Sequence, residues 1–485
     1  MTRSSPDPDP APDGARGDRA APGRSSGPGR DVGPQPGHPA RSEYAGGTHH
    51  VQDRRTLLRS GLGSGIALAA SALLSGCRAP RRRASRPLED RLDVGFVGVA
   101  NRGAANLAGV AGQNVVALCD VDELYLTSAG EKHAGARRYN DFRVMLECEE
   151  LDAVVISTAD HTHAPATLLA LELGLDVYCE KPLTHSVTEA RRVAEAAQRN
   201  RAVTQMGTQI HATSNYRRVV ELVGSGAIGS IGECHAWVGK AWSGGERPLD
   251  GPPVPAHLHY DLWLGPAPYR PYHPTYLPAN WRSWWDFGSG TLGDMGCHLI
   301  DLAFWALELE RPTHVSAEGP PVHPETAPPW MRAHWEFPRR TSNLGASLAP
   351  VTLHWHDGGL LPPQLESGAL PKWGMGVLFV GSDGMLLADY DRHLLLPEER
   401  FAGFTPPAPW IPGSIGHYRE WIEACKTRGP TTCPFEKAGP LTETVLLGSV
   451  AYRCGSAFDW NGAELRASEE QACGLLARVW RDGWG

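Results

Sequence analysis

A short stretch of the chain combines an acid and a histidine at helical spacing. Asp294 and His298 are four residues apart, in a run that opens on a glycine-rich loop (288–290) and continues as apolar residues to Trp305. Side chains four apart share one face of a helix, and Asp301 lies close to that face. Either the acid and the imidazole merely satisfy each other, or the carboxylate orients an imidazole that moves a proton.

A lysine occupies a second position where chemistry is expected. Residues 176–179 have the pattern of a buried strand and are followed directly by Glu180-Lys181-Pro182. An isolated lysine is usually a surface charge. Ligands of parallel sheets, however, bind at the carboxyl ends of the strands, so this position favours a catalytic Lys181.

The elements further upstream predict a dinucleotide site. A buried-type strand at 92–100 is followed by an Ala-rich helix and by a strand at 115–120 that ends in an acid. Three residues occupy the glycine positions of the dinucleotide fingerprint: Gly98, Ala100 and Gly103. Asp120 can bond the ribose hydroxyls and would repel a 2′-phosphate, which favours NAD over NADP. The predicted cofactor contacts lie on this loop, at the acid and at two later strand ends: Gly98, Ala100, Asn101, Arg102, Gly103, Asp120, Thr158, His161, Glu180 and Lys181.

The order of elements predicts two α/β domains. Strands and helices alternate over residues 91–208, which predicts a Rossmann domain with a parallel sheet. Residues 209–460 contain grouped strands, which predict an α/β substrate domain whose sheet buries one face, and residues 461–485 are a C-terminal tail. The strands predicted for the second domain are 233–238, 314–318, 331–337, 346–355 and 376–380, and the helices are 216–223, 417–426 and 441–454.

Tryptophans cluster just before the Asp294 loop. Residues 280–287 include Trp281, Trp285 and a charged residue beside each of them, Arg282 and Asp286. Core packing is one interpretation of this cluster. The other is a platform that stacks on the apolar faces of a sugar, with the two charged side chains bonding hydroxyls, and these four residues are the predicted substrate contacts.

Charge and metal-ligand spacing exclude some classes of function. The chain of 485 residues has a net charge of −8, and nine Arg against seven Asp or Glu before Cys77 leave the rest at −10. An acidic body argues against a nucleic-acid partner. No CxxC pair occurs, and the His-x-His pairs at 161/163, 257/259 and 354/356 have no assignable third ligand, so no metal site is predicted.

The N-terminal region has the pattern of an export signal. Residues 1–50 contain almost no large apolar side chain and are predicted to be disordered. Arg54-Arg55 precede a short apolar run and Leu74-Ser75-Gly76-Cys77, which together resemble a twin-arginine (Tat) signal with a bacterial lipobox. Residues 1–77 are therefore predicted to be an extension plus signal, 78–90 a linker, and Cys77 a lipid anchor on the periplasmic side. Tat signals normally begin near the start, so either the extension is unusual or translation begins later, for example at Val51.

The motifs together resemble the Gfo/Idh/MocA oxidoreductases. Glu180-Lys181-Pro182 after a Rossmann strand, and Gly293-Asp294-Met295-Gly296-Cys297-His298 downstream, occur in the family's order, and the resemblance runs from about 92 to about 460. It implies a Rossmann domain followed by an α/β domain with an open, mostly antiparallel sheet, and C-terminal helices that return to the Rossmann domain. It also implies that Lys181, Asp294 and His298 form the catalytic group and that Pro182 follows a cis peptide bond.

The expected reaction is hydride transfer between NAD and a secondary alcohol of a sugar or cyclitol. Because free NAD should be scarce outside the cytoplasm, an exported enzyme is expected to retain its cofactor tightly. Two alternatives remain: an NAD-dependent glycosidase or lyase that oxidises a sugar transiently and eliminates, and a non-catalytic sugar-binding lipoprotein. The expected partners are a sugar-like small molecule and a second copy of the chain.

Overall fold

A computed structural model describes residues 84–343 and 345–484. The predicted extension and signal, including Arg54, Arg55 and Cys77, lie outside these residues, as does the first part of the predicted linker. Within the described ranges, no helix combines the length and the apolar character needed to cross a bilayer.

The first domain is a parallel six-stranded sheet with helices between its strands. Its strands are β1 (Asp93–Val97), β2 (Asn114–Cys119), β3 (Arg137–Tyr139), β4 (Ala153–Ile156), β5 (Asp176–Cys179) and β6 (Thr204–Met206). Its helices are α1 (Arg102–Val110), α2 (Glu123–Lys132), α3 (Phe142–Cys148), α4 (His163–Glu172) and α5 (Val187–Asn200). The strand order β3-β2-β1-β4-β5-β6 is that of a dinucleotide-binding Rossmann fold, so this prediction is confirmed.

The second domain is built on a mixed, mostly antiparallel sheet. Its strands are β7 (Ile231–Val238), β8 (His314–Glu318), β9 (Arg332–Phe337), β10 (Arg340–Thr341), β11 (Ser347–Leu348), β12 (Val351–His356), β13 (Met375–Gly381), β14 (Met385–Ala388), β15 (His393–Leu396), β16 (Phe458–Asn461) and β17 (Arg466–Ala467). Nine of them are ordered β15-β14-β13-β7-β12-β9-β8-β16-β17, while β10 and β11 form a separate pair. Strands β7 and β12 run parallel, and the other assigned pairs of this sheet are antiparallel.

Helices of the second domain pack on this sheet and on the Rossmann domain. They are α6 (Ser214–Gly224), α7 (Tyr260–Leu264), α8 (Gly290–Ala306), α9 (Pro363–Glu366), α10 (Glu398–Phe401), α11 (His417–Thr427), α12 (Phe435–Cys454) and α13 (Glu470–Leu475). Helix α8 packs on β7 and β13, and α12 packs on α8, β8 and β9. Helix α12 also packs on α5 of the Rossmann domain, so one apolar core runs through both domains.

Two sequence predictions in this domain need correction. The strand predicted over 346–355 is two strands, β11 and β12, because the proline at position 350 interrupts the pairing. The helix predicted to begin at residue 441 begins at Phe435 and contains Pro440. That proline is the sixth residue of the helix, so the pattern of apolar residues after it revealed only the later part.

The C-terminal tail returns to the Rossmann domain. The guanidinium of Arg478 donates to Glu189 Oε1 at 2.8 Å and to the backbone oxygen of His161 at 2.6 Å. Trp480 Nε1 donates to the same Glu189 oxygen at 2.6 Å, and the indole ring of Trp484 packs on Phe142. The last residues therefore contribute to the packing of the first domain.

We expect Arg478→Ala to lower the free energy of unfolding by about 2 kcal/mol, because a buried carboxylate loses a charged hydrogen-bond donor. Glu189 keeps its bond from Trp480, so the fold should survive the change. Arg466→Ala, at an exposed arginine of the same segment, is the control and should change stability by less than about 0.5 kcal/mol. Urea unfolding measures both, and equal stability of the two variants would contradict a stabilising role for the tail.

Candidate active site

The predicted lysine and acid meet where the two domains join. Lys181 follows β5, and Asp294 lies in α8. Lys181 Nζ donates to Asp294 Oδ1 at 2.8 Å and to the backbone oxygen of Asp294 at 2.6 Å. The peptide between Lys181 and Pro182 is cis, as the family resemblance implied. The pair joins the carboxyl end of a Rossmann strand to the first turns of the helix that carries His298.

Asp294 accepts more hydrogen bonds than the sequence suggested. Its Oδ1 also accepts from Arg282 Nε at 2.9 Å, and its Oδ2 accepts from Lys240 Nζ at 2.9 Å and Trp242 Nε1 at 2.7 Å. Burial alone would raise the pKa of Asp294, but Lys181, Arg282 and Lys240 outweigh it and hold the pKa well below its usual range. The carboxylate is therefore ionised, and donors occupy both of its oxygens.

His298 does not pair with this carboxylate. Its Nδ1 is buried without a hydrogen-bond partner among the described residues, and the ring stands edge-on to Tyr390 at a centroid distance of 6.2 Å. Burial, reinforced by the charge of Lys181, places the pKa of His298 well below its ordinary value. The imidazole is therefore neutral near pH 7, as a proton acceptor must be.

Three side chains near this group were missed by the sequence analysis. Tyr390 follows β14, and its hydroxyl is buried without a partner in the described chain. Lys240 and Trp242 follow β7, and the Lys240 ammonium lies 4.8 Å from the Trp242 ring centroid. They lie far from Asp294 in sequence, and only the order of strands places them beside it. The one sequence signal for Lys240 and Trp242 was an aromatic residue two positions after a lysine at the end of a strand.

Asp160 supplies a second buried carboxyl group near the lysine. Burial raises the pKa of Asp160 to about 8, although the charges of Arg282 and Lys181 lower it. Asp294 nearby raises it further. Asp160 therefore carries a proton near neutral pH while Asp294 does not, so the two acids of the site differ in protonation state.

The fingerprint loop has the shape that a dinucleotide requires. Gly98 has φ +82°, and a Cβ there would lie 2.5 Å from the backbone oxygen of Ser157. A Cβ on Gly103 would lie 2.2 Å from the backbone oxygen of Gly98, so both positions need glycine. Asn101 has φ +50° and Arg102 begins α1, which places the first amides of the helix beside the loop, as pyrophosphate binding requires.

Asp120 is held at the end of β2 by backbone amides. Its Oδ2 accepts from Val99 N and its Oδ1 from Asp122 N, each at 3.0 Å. Burial raises the pKa of Asp120 to about 6, although these amide bonds lower it. The acid is thus fixed beside the fingerprint loop, where the ribose is expected.

Two other predicted cofactor residues have different surroundings. His161 is buried, and its ring nitrogens lie 2.8 Å from the backbone oxygen of Trp263 and 3.3 Å from that of Phe287. Burial lowers the pKa of His161 to about 3. The ring links the Rossmann domain to the second domain and has no nitrogen left for a cofactor. Thr158 lies at the end of β4, and its backbone oxygen contacts His163 Nε2 at 3.1 Å.

Glu180 anchors the strand end rather than lining an open site. Its Oε1 accepts from Asn106 Nδ2 at 2.9 Å and from Gln209 Nε2 at 2.8 Å. Tyr418 of α11 donates to Asn106 Oδ1 at 2.7 Å. This buried network holds the backbone from which Lys181 extends.

The structure separates the four predicted substrate residues. The Arg282 guanidinium bonds Asp294 and lies 4.2 Å from the ring centroid of Trp281, so both residues belong to the site. Trp285 instead donates to the backbone oxygen of His323. Asp286 Oδ2 accepts from two arginines, Arg270 Nε at 2.7 Å and Arg247 Nη2 at 3.1 Å, so this carboxylate belongs to an ion-pair network.

Fold and site define a two-domain protein with a dinucleotide-binding Rossmann domain and an open-sheet α/β domain. Residues 92–208 match the model of the Gfo/Idh/MocA oxidoreductase family's NAD-binding Rossmann fold, and residues 218–342 match the model of its C-terminal α/β domain. The chain belongs to the Gfo/Idh/MocA oxidoreductase family, and its cofactor is NAD.

Curated relatives match the chain over less than half of their own length. Inositol 2-dehydrogenase of Salmonella typhimurium is 31% identical over 144 residues, which are 28% of this chain and 43% of that enzyme. Inositol 2-dehydrogenase of Rubrobacter xylanophilus is 34% identical over 146 residues, 29% of this chain and 42% of that enzyme. The matched stretch is thus a minority of this chain as well.

Solved structures share the fold over most of the chain. The WlbA dehydrogenase from Bordetella pertussis, in complex with NADH and UDP-GlcNAcA, has a TM-score of 0.54 at 16% identity and covers 76% of this chain and 99% of that one. GenD2 from gentamicin A biosynthesis, in complex with NAD, has a TM-score of 0.52 at 18% identity and covers 78% and 99%. At these identities the likeness shows the fold alone.

Removing the acid at the end of β2 should change cofactor preference. We expect Asp120→Ala to weaken NAD binding by about tenfold, one lost charged hydrogen bond, and to narrow the gap to NADP because the charge that repels a 2′-phosphate is gone. Glu123→Ala, an exposed carboxylate three residues further on, should leave both affinities unchanged. Titration calorimetry with each dinucleotide measures the effect. Tighter binding of NADP than of NAD by the unmodified protein would refute the role of Asp120.

Proposed function

We propose that this protein catalyses NAD-dependent hydride transfer at a secondary alcohol of a sugar or cyclitol. The proposal rests on the site where the two domains meet. There Lys181 Nζ donates to Asp294, and His298, one turn further along α8, has a neutral imidazole. A lysine and a neutral histidine at the carboxyl edge of a Rossmann sheet are the groups needed to move a hydroxyl proton.

The fingerprint loop fits NAD because Gly98 and Gly103 leave the space that a Cβ would fill. Bound NAD supplies the hydride acceptor. His298 takes the hydroxyl proton from the substrate, since its ring is neutral and its Nδ1 has no partner in the described part of the chain. Lys181 polarises the substrate oxygen from the edge of the sheet, and Asp294 holds the lysine in place.

Site chemistry also supports a polyhydroxylated substrate. Lys240, Arg282 and the Tyr390 hydroxyl supply hydrogen-bond donors, and the half-buried indole of Trp242 offers an apolar face beside them. Trp281, stacked under Arg282, extends that face. Such a set of a few polar groups among aromatic side chains suits a small ligand with many hydroxyls. The inositol 2-dehydrogenases among the relatives support this class of substrate.

We further propose that the chain is exported through its Tat-like signal, is anchored by lipid at Cys77 and retains NAD tightly. The support is the sequence of residues 54–77, together with the scarcity of free NAD outside the cytoplasm. A retained cofactor is returned to its starting state by a second sugar-like substrate.

Loss of the histidine should remove most of the turnover but leave cofactor binding intact. We expect His298→Ala to lower kcat by about 10²–10⁴-fold, with unchanged NAD affinity, because the dinucleotide site is built from other residues. Lys181→Ala should lower kcat to a similar extent, and the double variant should be little worse than the worse single one, since groups acting as a unit are non-additive. His259→Ala, an exposed histidine, is the control.

The readout is the absorbance of reduced nicotinamide with a panel of sugars and cyclitols. Reduction without bond cleavage supports a dehydrogenase, whereas a released aglycone would indicate the glycosidase or lyase alternative. Because burial lowers the pKa of His298, kcat/KM should stay level as the pH falls from 8 to about 6.5, the ordinary pKa of histidine, and should decline at lower pH. Near-parent activity of a folded His298→Ala protein would overturn the mechanism.

Export is tested separately. Replacing both Arg54 and Arg55 by lysine should keep the protein in the cytoplasm, because Tat-type signals depend on the arginine pair. Cys77→Ala should abolish lipid attachment. Cell fractionation and mass analysis of the mature N-terminus distinguish these outcomes. If the double-lysine variant still yields lipidated protein in the cell envelope, the protein does not follow a Tat-type route.

A further inference from the structure

Four histidines and a glutamate lie together on the outer face of the second sheet. Glu233 and His235 come from β7, His354 and His356 from β12, and His334 from β9; we call these five residues the histidine cluster. Alternate residues of the same strands, such as Cys234 and Leu353, belong to the inner core. The cluster therefore lies on the side of the sheet opposite α8 and the candidate active site.

Strand register brings the histidines together. Residue His354 lies opposite His235 on one side, where β12 and β7 run parallel, and opposite His334 on the other, where β12 and β9 run antiparallel. The rings of His235 and His354 stack at a centroid distance of 4.6 Å. None of this was accessible from the single pair 354/356 noted in the sequence.

Three of the side chains aim one ligand atom each at a common point. Glu233 Oε1 lies 2.7 Å from His235 Nε2 and 3.6 Å from His354 Nε2, and the ligand atoms of the three lie within 4.8 Å of one another. His235 is 2% exposed, yet its Nε2 makes no hydrogen bond to any described residue. Glu233 approaches this buried nitrogen without hydrogen-bond geometry, so the nitrogen remains available to a ligand.

The opposite ring nitrogens are supported by the two remaining histidines. His235 Nδ1 lies 3.1 Å from His356 Nε2, and His354 Nδ1 lies 2.5 Å from His334 Nδ1. If His235 and His354 each donate from Nδ1, the single Nε2 atom of each ring presents a lone pair towards Glu233. Metal-binding histidines typically donate their other N–H to a neighbouring acceptor in this way.

We propose that Glu233, His235 and His354 bind a Zn²⁺ ion through one carboxylate oxygen and two Nε2 atoms. Imidazole and carboxylate are ligands that suit Zn²⁺ at bond lengths of about 2.0–2.2 Å, and three protein ligands leave a fourth position for water. Glu233 is 41% exposed and His354 is 18% exposed, so the site opens to solvent on the glutamate side.

The ion would link β7 to β12. These two strands form the parallel pair of the second sheet, and parallel pairing is slightly less stable per residue than antiparallel pairing. Because the site faces away from Lys181 and His298, the first effect of the metal is on stability, not on hydride transfer. The proposed Zn²⁺ site can therefore be tested independently of the proposed activity.

The test uses full-length protein without a histidine tag, treated with EDTA and dialysed. Equilibrium dialysis against ZnCl₂ with elemental analysis should find one Zn²⁺ per chain, and Zn²⁺ should raise Tm by several degrees because it binds the folded state selectively. His354→Ala and Glu233→Gln should each weaken binding at least tenfold and remove the shift in Tm. His334→Asn should weaken binding by about 10–100-fold, the usual effect of a supporting residue.

His314→Ala is the matched control. This histidine lies on β8 of the same sheet and pairs with exposed Asp459, so its loss should leave Zn²⁺ binding unchanged. Glu233→Gln alters a partly exposed side chain, and the change should preserve the fold if His354→Ala does not. Absence of stoichiometric Zn²⁺ in the parent, or parent-like binding by Glu233→Gln, would overturn the proposal and leave the cluster as a hydrogen-bonded ladder.

Discussion

The arrangement of the candidate site depends on one buried negative charge. Asp294 is 5% exposed, and an ionised carboxylate at such depth is stable only when donors surround it. Lys181 and Arg282 bind one of its oxygens, and Lys240 and Trp242 bind the other. These donors come from a Rossmann strand end, from the segment before α8 and from the end of β7. The charge therefore specifies how the two domains meet. Removing the carboxylate or one of its charged donors would leave the remaining groups without their balancing charge.

Because the buried Asp294 carboxylate must be surrounded by charged donors, it does not pair with His298. In sequence the two are a helical pair, and the simplest prediction joins them. Lys181, Arg282 and Lys240 bind the carboxylate instead, because a hydrogen bond from a charged donor is stronger than one from a neutral imidazole. Buried and without a partner for its Nδ1 among the described residues, the histidine is neutral, which is the state in which it can accept a proton. In the proposed mechanism, Asp294 therefore acts through Lys181 and not through the ring.

Local sequence pattern was sufficient to predict the secondary structure of the Rossmann domain. The strands and helices of the Rossmann domain and the fingerprint follow from periodicity and spacing, and the position of Lys181 follows from the strand before it. His161 was misplaced because its position at a strand end says nothing about which way the ring turns; here it turns towards Trp263 and Phe287. Tyr390 and the histidine cluster depend on strand order and register, which no local window contains. Trp285 and Asp286 were chosen for their residue types, while their arginine and carbonyl partners lie elsewhere in the chain.

The docked tail has a consequence for biosynthesis. Arg478 and Trp480 complete the surroundings of Glu189, Trp421 of α11 lies in the core beneath α1, and α12 packs on α5. A ribosome delivers the chain from its N-terminus, so the first domain emerges more than 200 residues before the segments that close its packing. Domain-by-domain folding during synthesis, the general habit of multidomain proteins, therefore cannot finish here. The nascent Rossmann domain is therefore expected to expose apolar surface until these later segments have been synthesised and can pack against it.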